Sequence, residues 1–119
     1  MSKQRHTFIV WAPDRIDPDA LARRLAVRPQ HLVRAHELHA RGVILTGGPM
    51  RPPESITPGA SVDAQNAFVG STMIVAASSL EEARAVVEGD LYYTSNVWDK
   101  EKLTILPYSP SLPWPANEA

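Results

Sequence analysis

Four short runs of β-branched and aromatic residues place the strongest constraint on how this chain can fold. Each run is bounded by glycine, proline or small polar residues, and this combination predicts a β-strand. In chain order the runs are TFIVW (7–11), VILTGGPM (43–50), FVGSTMIVAA (68–77) and KLTILPY (102–108). Helical patterns separate the first run from the second and the third from the fourth. The predicted order is therefore β-α-β-β-α-β.

The first helical stretch is interrupted by a proline. Asp17 is a good N-cap, and Pro18 suits the first helical position. Pro29 lacks a backbone N–H, and its ring pushes the preceding residue away from helical angles. We therefore expect a break or kink near 27–29 and a second helical piece from about Pro29 to Arg41, followed by Gly42, a residue type favoured just after a helix.

The second half of the chain has clear capping and loop signals. Ser78 or Ser79, followed by glutamate at 81 or 82, predicts a capped helix to about residue 88. The segment GDLYYTSNVWD then reads as a connection with at most one helical turn. Residues 51–66 are rich in proline and predict a long loop. Gly70, inside the third predicted strand, indicates a bulge or a close approach of another backbone.

This order of elements predicts an α+β fold of the ferredoxin-like, split βαβ type. A chain of 119 residues is the size of one domain, which we place at 1–108, with a proline-rich C-terminal tail at 109–119. Two helices cover only one face of such a sheet, yet both sides of the third strand are apolar. We therefore expect a homodimer packed sheet to sheet, and a higher oligomer remains open.

Composition excludes several classes of function. The 12 basic and 13 acidic side chains give a formal net charge of −1, so no nucleic-acid partner is expected. The absence of cysteine rules out disulfides, thiolate nucleophiles and cysteine-ligated metals. The apolar runs are too short for a signal sequence or a membrane span, so we expect a cytoplasmic protein with no membrane partner.

Three of the four histidines, His31, His36 and His39, fall within RPQHLVRAHELHARG (28–42). His36 and His39 are three residues apart on one helix face, but zinc requires three or four converging ligands, so we expect no metal. His31 could act as a general base if Asp90 fixed its tautomer, because the two helices of a split βαβ fold lie side by side. The alternative is a surface histidine and an aspartate that only caps a helix.

Other residues are candidates for the wall of a cleft. The pair Gly47 and Gly48 would let a ligand approach the backbone closely, or would only make a turn. Tyr92 and Tyr93 could line a substrate pocket, or could pack beneath a dimer interface. The arginines at 23, 24, 28 and 34 could bind an anion, or could form a solvated helix face.

The motifs FIVWAPD, RRLAVRPQHL, TGGPM, GSTMIVAASSLEEA and GDLYYTSNVWD together resemble those of the YCII-related (YciI-like) family over about 7–108. The resemblance implies a dimeric ferredoxin-like fold of the dimeric α/β-barrel kind, with a histidine–aspartate pair in a cleft. These two residues correspond to His31 and Asp90, which leaves His36 and His39 without a chemical role.

The same resemblance places Arg28 beside the pocket, where it could steady an anionic group, and implies that Gly47, Gly48 and Ser71 shape the cleft. The chain departs from the common bacterial form at Leu91, where that form has a proline. The loop 51–66 is also individual. Both differences leave the identity of the substrate open.

These observations predict a small enzyme without a cofactor that abstracts a proton from a small organic acid or lactone. The reaction would be an isomerisation or an elimination of the dehydrohalogenation type. His31 would be the base, Asp90 would hold its other ring nitrogen, and Arg28 would stabilise an enolate or carboxylate. The alternative is a non-catalytic dimeric protein that binds a small molecule or serves as an accessory subunit. An accessible His31 ring favours the enzyme, and a sealed, fully satisfied pair favours the alternative.

Overall fold

The computed structural model of the chain describes residues 4–112. Its strands are β1 (His6–Pro13), β2 (Ile44–Met50), β3 (Gly70–Ala77) and β4 (Thr104–Pro107). Its helices are α1 (Ala20–Ala40), α2 (Val62–Gln65), α3 (Leu80–Glu88) and α4 (Leu91–Thr94), with a 3₁₀ turn at Pro53–Ile56. The α+β class and the predicted order of the main elements are confirmed. The 3₁₀ turn and α2 lie inside the stretch predicted to be one long loop, and residues 113–119 of the predicted tail lie outside the described residues.

The four strands form one sheet in the order β2-β3-β1-β4, and all neighbouring strands are antiparallel. Because β1 and β2 both run antiparallel to β3, they run parallel to each other with β3 between them. The same reasoning makes β3 and β4 parallel on either side of β1. The sheet therefore consists of two interlocked split βαβ units, as the order of elements predicted.

The two faces of the sheet differ in what covers them. On the face toward the helices, Phe8 and Val10 of β1 are buried, and they pair in register with Val75 and Met73 of β3. These residues form one core with Ala83 and Val87 of α3. The opposite face, which we call the open face, carries the row Ile74–Ile9–Leu106 and the neighbouring Trp11. Trp11 is 51% exposed and Leu106 is 56% exposed, so the open face presents apolar surface to water.

Helix α1 continues through Pro29, and the predicted break at 27–29 is wrong. Pro29 and Leu25 both lie on the exposed side of the helix, so the Leu25 carbonyl, which loses its helical partner, faces water. The helix also begins later than predicted, with Asp19 at the N-cap position. Asp17 instead accepts a hydrogen bond from the Asp19 backbone N–H and pairs with Arg23.

Gly42 and Gly70 have the roles that the sequence predicted for them. Gly42 has a φ of +74° and ends α1, with its N–H bonded to the His39 carbonyl. At Gly70 a Cβ would lie only 2.7 Å from the Ala12 carbonyl oxygen, so the close backbone approach is confirmed. The irregularity in the sheet lies elsewhere, in β2 between Ile44 and Thr46.

Candidate active site

A cavity of about 380 Å³ opens between α1 and the sheet on its helix-covered side. Helix α1 forms one wall, β2 and β3 form the other, and α4 closes one part of it. Residues that matter for the chemistry of this cavity are Arg24, Arg28, His31, Gly47, Ser71 and Tyr92. Its volume lies within the range of about 300 to 1,000 Å³ that is usual for small-molecule pockets.

The spacing along α1 explains why its polar residues meet in one cavity. Arg24, Arg28, His31 and Ala35 follow one another at intervals of four, three and four residues, and this interval places side chains on one face of a helix. The stripe crosses Pro29 without a change of face because α1 is continuous there.

The side chains of His31 and Asp90 are in direct contact. The Nδ1 atom of His31 lies 2.9 Å from Oδ1 of Asp90, and that oxygen also accepts the Tyr92 backbone N–H at 2.8 Å. Since an ionised carboxylate only accepts hydrogen bonds, Nδ1 of His31 carries the hydrogen. The lone pair of the neutral imidazole is therefore on Nε2, and the His31 side chain, 14% exposed, lines the cavity.

Asp90 is held from several sides. It is the N-cap of α4, and its side chain is only 3% exposed. Its second oxygen, Oδ2, lies 3.9 Å from Nη1 of Arg34, while Nη2 of Arg34 donates to the Val86 carbonyl at 3.1 Å. Gly89 makes room for this arginine, because a Cβ there would lie 2.8 Å from Nη2 of Arg34. The carboxylate is thus fixed between an imidazole, a backbone N–H and a guanidinium.

Tyr92 fixes the plane of the imidazole. The rings of His31 and Tyr92 are stacked, with centroids 3.8 Å apart and planes 17° apart. The edge of Trp98 meets the Tyr92 ring at a centroid distance of 5.8 Å. Burial raises the pKa of the Tyr92 phenol above its ordinary value, so this phenol stays uncharged at neutral pH.

Arg24 is a buried cation in the cavity wall. Its Nη1 donates to both carboxylate oxygens of Asp14, at 2.8 and 3.0 Å, and its Nη2 donates to the Ser71 hydroxyl oxygen at 2.7 Å. The guanidinium carbon lies 4.4 Å from the centroid of the Tyr92 ring. Burial raises the pKa of the Asp14 carboxyl, and the charge of Arg24 opposes that rise. Arg24 is only 2% exposed, so a solvated helix face is the wrong description for this arginine.

The predicted site residues fall in different places. Arg28, Gly47, Gly48, Ser71 and Tyr92 line the same cavity as His31. Tyr93 does not, contrary to the sequence expectation. It packs against the core, and Nζ of Lys100 lies 4.6 Å from its ring centroid.

The two histidines set aside in the sequence analysis also reach the cavity. His36 and His39 are exposed and line its outer part, and Nδ1 of His39 lies 2.8 Å from the Ile44 carbonyl oxygen. His39 follows Ala35 by four residues and therefore continues the same face of α1, a spacing that could have identified it as a cavity residue. Within residues 4–112, no group of three or more histidine, aspartate or glutamate side chains is arranged to hold a metal ion.

Comparison with known proteins finds one family and several relatives. Residues 8–107 match the YCII-related domain. Protein YciI of Escherichia coli O6:H1 is 39% identical over 101 residues, which are 85% of this chain and 94% of that protein. Fusaric acid biosynthesis protein 2 of Gibberella fujikuroi is 29% identical over 108 residues, which are 91% of this chain and 97% of that protein.

A solved structure shares the fold. It is the 5-chloro-2-hydroxyhydroquinone dehydrochlorinase of Burkholderia phenoliruptrix AC1100, in complex with 2,5-dihydroxybenzoquinone. The TM-score is 0.68 at 24% identity, and the match covers 87% of this chain and 93% of that chain. In the described part of this chain, no helix has the length and apolar character needed to cross a membrane.

Proposed function

Because this chain belongs to the YCII-related family, we propose that it is a small-molecule enzyme in which His31, oriented by Asp90, abstracts a proton. The reaction is an elimination or an isomerisation of a small organic acid or lactone. The observation that carries this proposal is the contact of 2.9 Å between Nδ1 of His31 and Oδ1 of Asp90 in the wall of the cavity. Because this contact uses Nδ1, the nitrogen of His31 that can take a proton from a ligand is Nε2.

The chemical step begins at a carbon–hydrogen bond next to a carbonyl group. Nε2 of His31 takes the proton, and the electron pair of the broken bond moves onto the carbonyl oxygen to form an enolate. In an elimination the enolate collapses, a carbon–carbon double bond forms, and a leaving group such as chloride departs with its electron pair. In an isomerisation the imidazolium returns the proton to a different carbon. A base positioned in this way contributes about 10²- to 10⁴-fold to the rate.

Charges around the cavity suit the ions formed in this step. The buried carboxylate of Asp90 stabilises the imidazolium of His31. Within residues 4–112 Arg28 has no carboxylate partner, and its recorded contact is with the Phe68 ring, 6.0 Å from the guanidinium carbon. Its charge is therefore available to a carboxylate or enolate. Since β2 is an edge strand, alternate backbone N–H groups near Gly47 and Gly48 are also free of the sheet.

The accessibility of His31 favours an enzyme over a passive binding protein. A pair that served only to hold the fold would be sealed and satisfied on both sides. Here the imidazole faces a cavity of about 380 Å³ and keeps one nitrogen for a ligand. A binding or accessory protein is the alternative that the experiment below separates from this proposal.

The structural neighbour supplies the compounds for that experiment. We would measure chloride release from 5-chloro-2-hydroxyhydroquinone and the affinity for 2,5-dihydroxybenzoquinone. The first compound is an acidic phenol, and its diketo tautomer has a carbon–hydrogen bond next to one carbonyl group and chloride on the adjacent carbon, as the proposed elimination requires. The variants are His31→Ala and, as a matched control, His36→Ala, which removes a histidine of the same cavity outside the pair. We expect chloride release that is lost in His31→Ala and kept in the control. Ligand binding without chloride release, or release that survives the loss of His31, would favour the binding protein or another base.

We further propose that the chain forms a homodimer through the open face. Trp11 and Leu106 leave apolar surface exposed there, next to the row through Ile9. We expect light scattering to give the mass of a dimer, and Trp11→Glu to give that of a monomer. Ile16→Glu is the matched control, because Ile16 is 90% exposed but lies outside the sheet. A dimer that tolerates Trp11→Glu would place the interface elsewhere.

A further inference from the structure

We propose that the Ser71 hydroxyl group donates the hydrogen bond that stabilises the substrate oxygen on which negative charge develops. Ser71 is thus a catalytic residue in addition to the base, and the substrate carries a carbonyl group beside the acidic carbon. This inference rests on the proposed proton abstraction, and it assigns one donor to the enolate oxygen that the reaction creates.

The hydrogen bonds of Ser71 leave only one direction for its hydroxyl hydrogen. A serine oxygen has two lone pairs and one hydrogen. One lone pair accepts from Nη2 of Arg24 at 2.7 Å, and the other accepts from Nε1 of Trp98 at 3.3 Å. Guanidinium and indole N–H groups can only donate. Both lone pairs are therefore used, and neither partner can take the hydroxyl hydrogen.

The hydroxyl hydrogen is available to a ligand. Ser71 is 6% exposed and lines the cavity that also holds His31. Within residues 4–112 the hydroxyl hydrogen has no acceptor, although buried donors in proteins are almost always paired. An oxygen atom of a bound substrate would complete the set of hydrogen bonds around Ser71.

The buried cation makes this hydroxyl a stronger donor. Arg24 donates to the Ser71 oxygen and withdraws electron density from it, and hydrogen bonds in such a chain strengthen one another. Asp14 holds the guanidinium in place through Nη1, so the donor needs little reorganisation when charge develops on the substrate.

The same contacts argue against Ser71 as a nucleophile. An attacking serine must give its proton to a nearby base. The two groups on the Ser71 oxygen, from Arg24 and Trp98, are donors, and within residues 4–112 no hydrogen bond joins the Ser71 hydroxyl to the base His31. The proton therefore stays on Ser71 throughout the reaction.

The donor and the base belong to one assembly around Tyr92. The Arg24 guanidinium group donates a hydrogen bond to Ser71, and its carbon atom lies 4.4 Å from the centroid of the Tyr92 ring. The His31 ring is stacked on Tyr92 at 3.8 Å. Ser71 and His31 also line the same cavity, so we expect one small bound ring to present its carbon–hydrogen bond to the base and its carbonyl oxygen to the donor.

The test reads the carbonyl bond of a bound probe and does not depend on turnover. The probe is 2-cyclohexenone, with and without ¹³C at the carbonyl carbon, in isotope-edited infrared difference spectra. A hydrogen bond to the carbonyl oxygen lowers its stretching frequency. We expect a lowered frequency with the wild type, loss of that shift in Ser71→Ala, and recovery in Ser71→Thr, which keeps a hydroxyl group. The probe should also bind about 2- to 10-fold more weakly to Ser71→Ala.

A neighbouring hydroxyl provides the matched control. Thr72 follows Ser71 on β3, and its hydroxyl donates to the Val10 carbonyl at 3.0 Å, so Thr72→Val should keep the shift. If Ser71→Ala does not fold, Ser71→Cys serves instead, and its weak S–H donor should leave a smaller shift.

The inference would be overturned if the lowered carbonyl frequency persisted in Ser71→Ala. It would also be overturned if Thr72→Val lost the frequency shift while Ser71→Ala kept it, or if the probe did not bind at millimolar concentration. Failure of the proposed function looks different, because turnover would then be absent or independent of His31 while the Ser71-dependent shift remained. For a substrate that is turned over, Ser71→Ala should lower kcat about 10²- to 10³-fold with a smaller effect on KM.

Discussion

The change Asp90→Asn separates the two tasks that Asp90 has in the proposed mechanism, which are to fix the tautomer of His31 and to supply negative charge. The Oδ1 atom contacts both Nδ1 of His31 and the Tyr92 N–H, and Oδ2 lies 3.9 Å from the Arg34 guanidinium. If the asparagine turned its NH₂ group toward Nδ1 of His31, the same group would face the Tyr92 backbone N–H, and two hydrogen-bond donors would point at each other. The amide oxygen therefore stays at the Oδ1 position, and Nδ1 of His31 keeps its hydrogen.

The expected loss in Asp90→Asn comes from charge alone. A carboxylate at this range stabilises a neighbouring cation by about 1.4 to 4 kcal/mol. We use the lower part of that range, because Arg34 already offsets some of the charge of Asp90. The imidazolium of His31 should thus lose about 1.4 to 2.8 kcal/mol, which lowers kcat about 10- to 100-fold. The fold should be unaffected, since asparagine caps a helix about as well as aspartate.

The matched variant Asp90→Ala removes charge and tautomer control together. We expect a loss of about 10²- to 10⁴-fold in kcat, the full contribution of the positioned base. The assay combines kcat with ¹⁵N NMR of the His31 ring. The wild type and Asp90→Asn should show hydrogen on Nδ1 and none on Nε2 in the neutral ring, while Asp90→Ala should show a mixture. Hydrogen on Nε2 in Asp90→Asn, or an equal loss of kcat in both variants, would refute this reasoning.

Three further changes test interactions that stabilise the fold. Arg24→Met leaves the Asp14 carboxylate buried without its partner, and it should lower the free energy of unfolding by about 3 to 5 kcal/mol in urea titrations. An unchanged midpoint of urea unfolding would contradict the burial of this pair. Arg23 holds the pKa of Asp17 down at about 2, so Asp17→Asn should lower the melting temperature above about pH 4, and the difference should vanish as pH falls toward 2. Gly70→Ala places a Cβ 2.7 Å from a carbonyl oxygen of β1 and should cost about 1 to 3 kcal/mol in the same titrations, whereas unchanged stability would mean that the two strands can move apart.

The sequence predicted those features that follow from local patterns. The strands, the helix end at Gly42 and the Ser79 cap of α3 each depend on a few adjacent residues, and the structure contains all of them. The contact between His31 and Asp90 could not be predicted from adjacent residues, because it depends on the topology that brings α1 beside the start of α4. That contact was an open alternative in the residue pattern, and the family resemblance favoured it.

Features that depend on tertiary packing were harder to predict. A break at Pro29 follows from local chemistry, but the helix continues because Pro29 lies on the side facing water while the opposite stripe packs into the fold. Arg24 reads as a surface charge, because its burial depends on Asp14 and Ser71, which come from other elements. The adjacent residues Tyr92 and Tyr93 look alike in the sequence, and only the short helix α4 turns one toward the cavity and the other away.

The most direct test of the central claim is hydrogen exchange at carbon in D₂O, followed by ¹H NMR over a panel of small carbonyl acids and lactones. If His31 is the base, the wild type should exchange the hydrogen next to the carbonyl group in at least one compound. The rate should fall about 10²-fold or more in His31→Ala and should be kept in His36→Ala. Exchange that survives without His31, or no exchange across the panel, would contradict the assignment of His31 as the base.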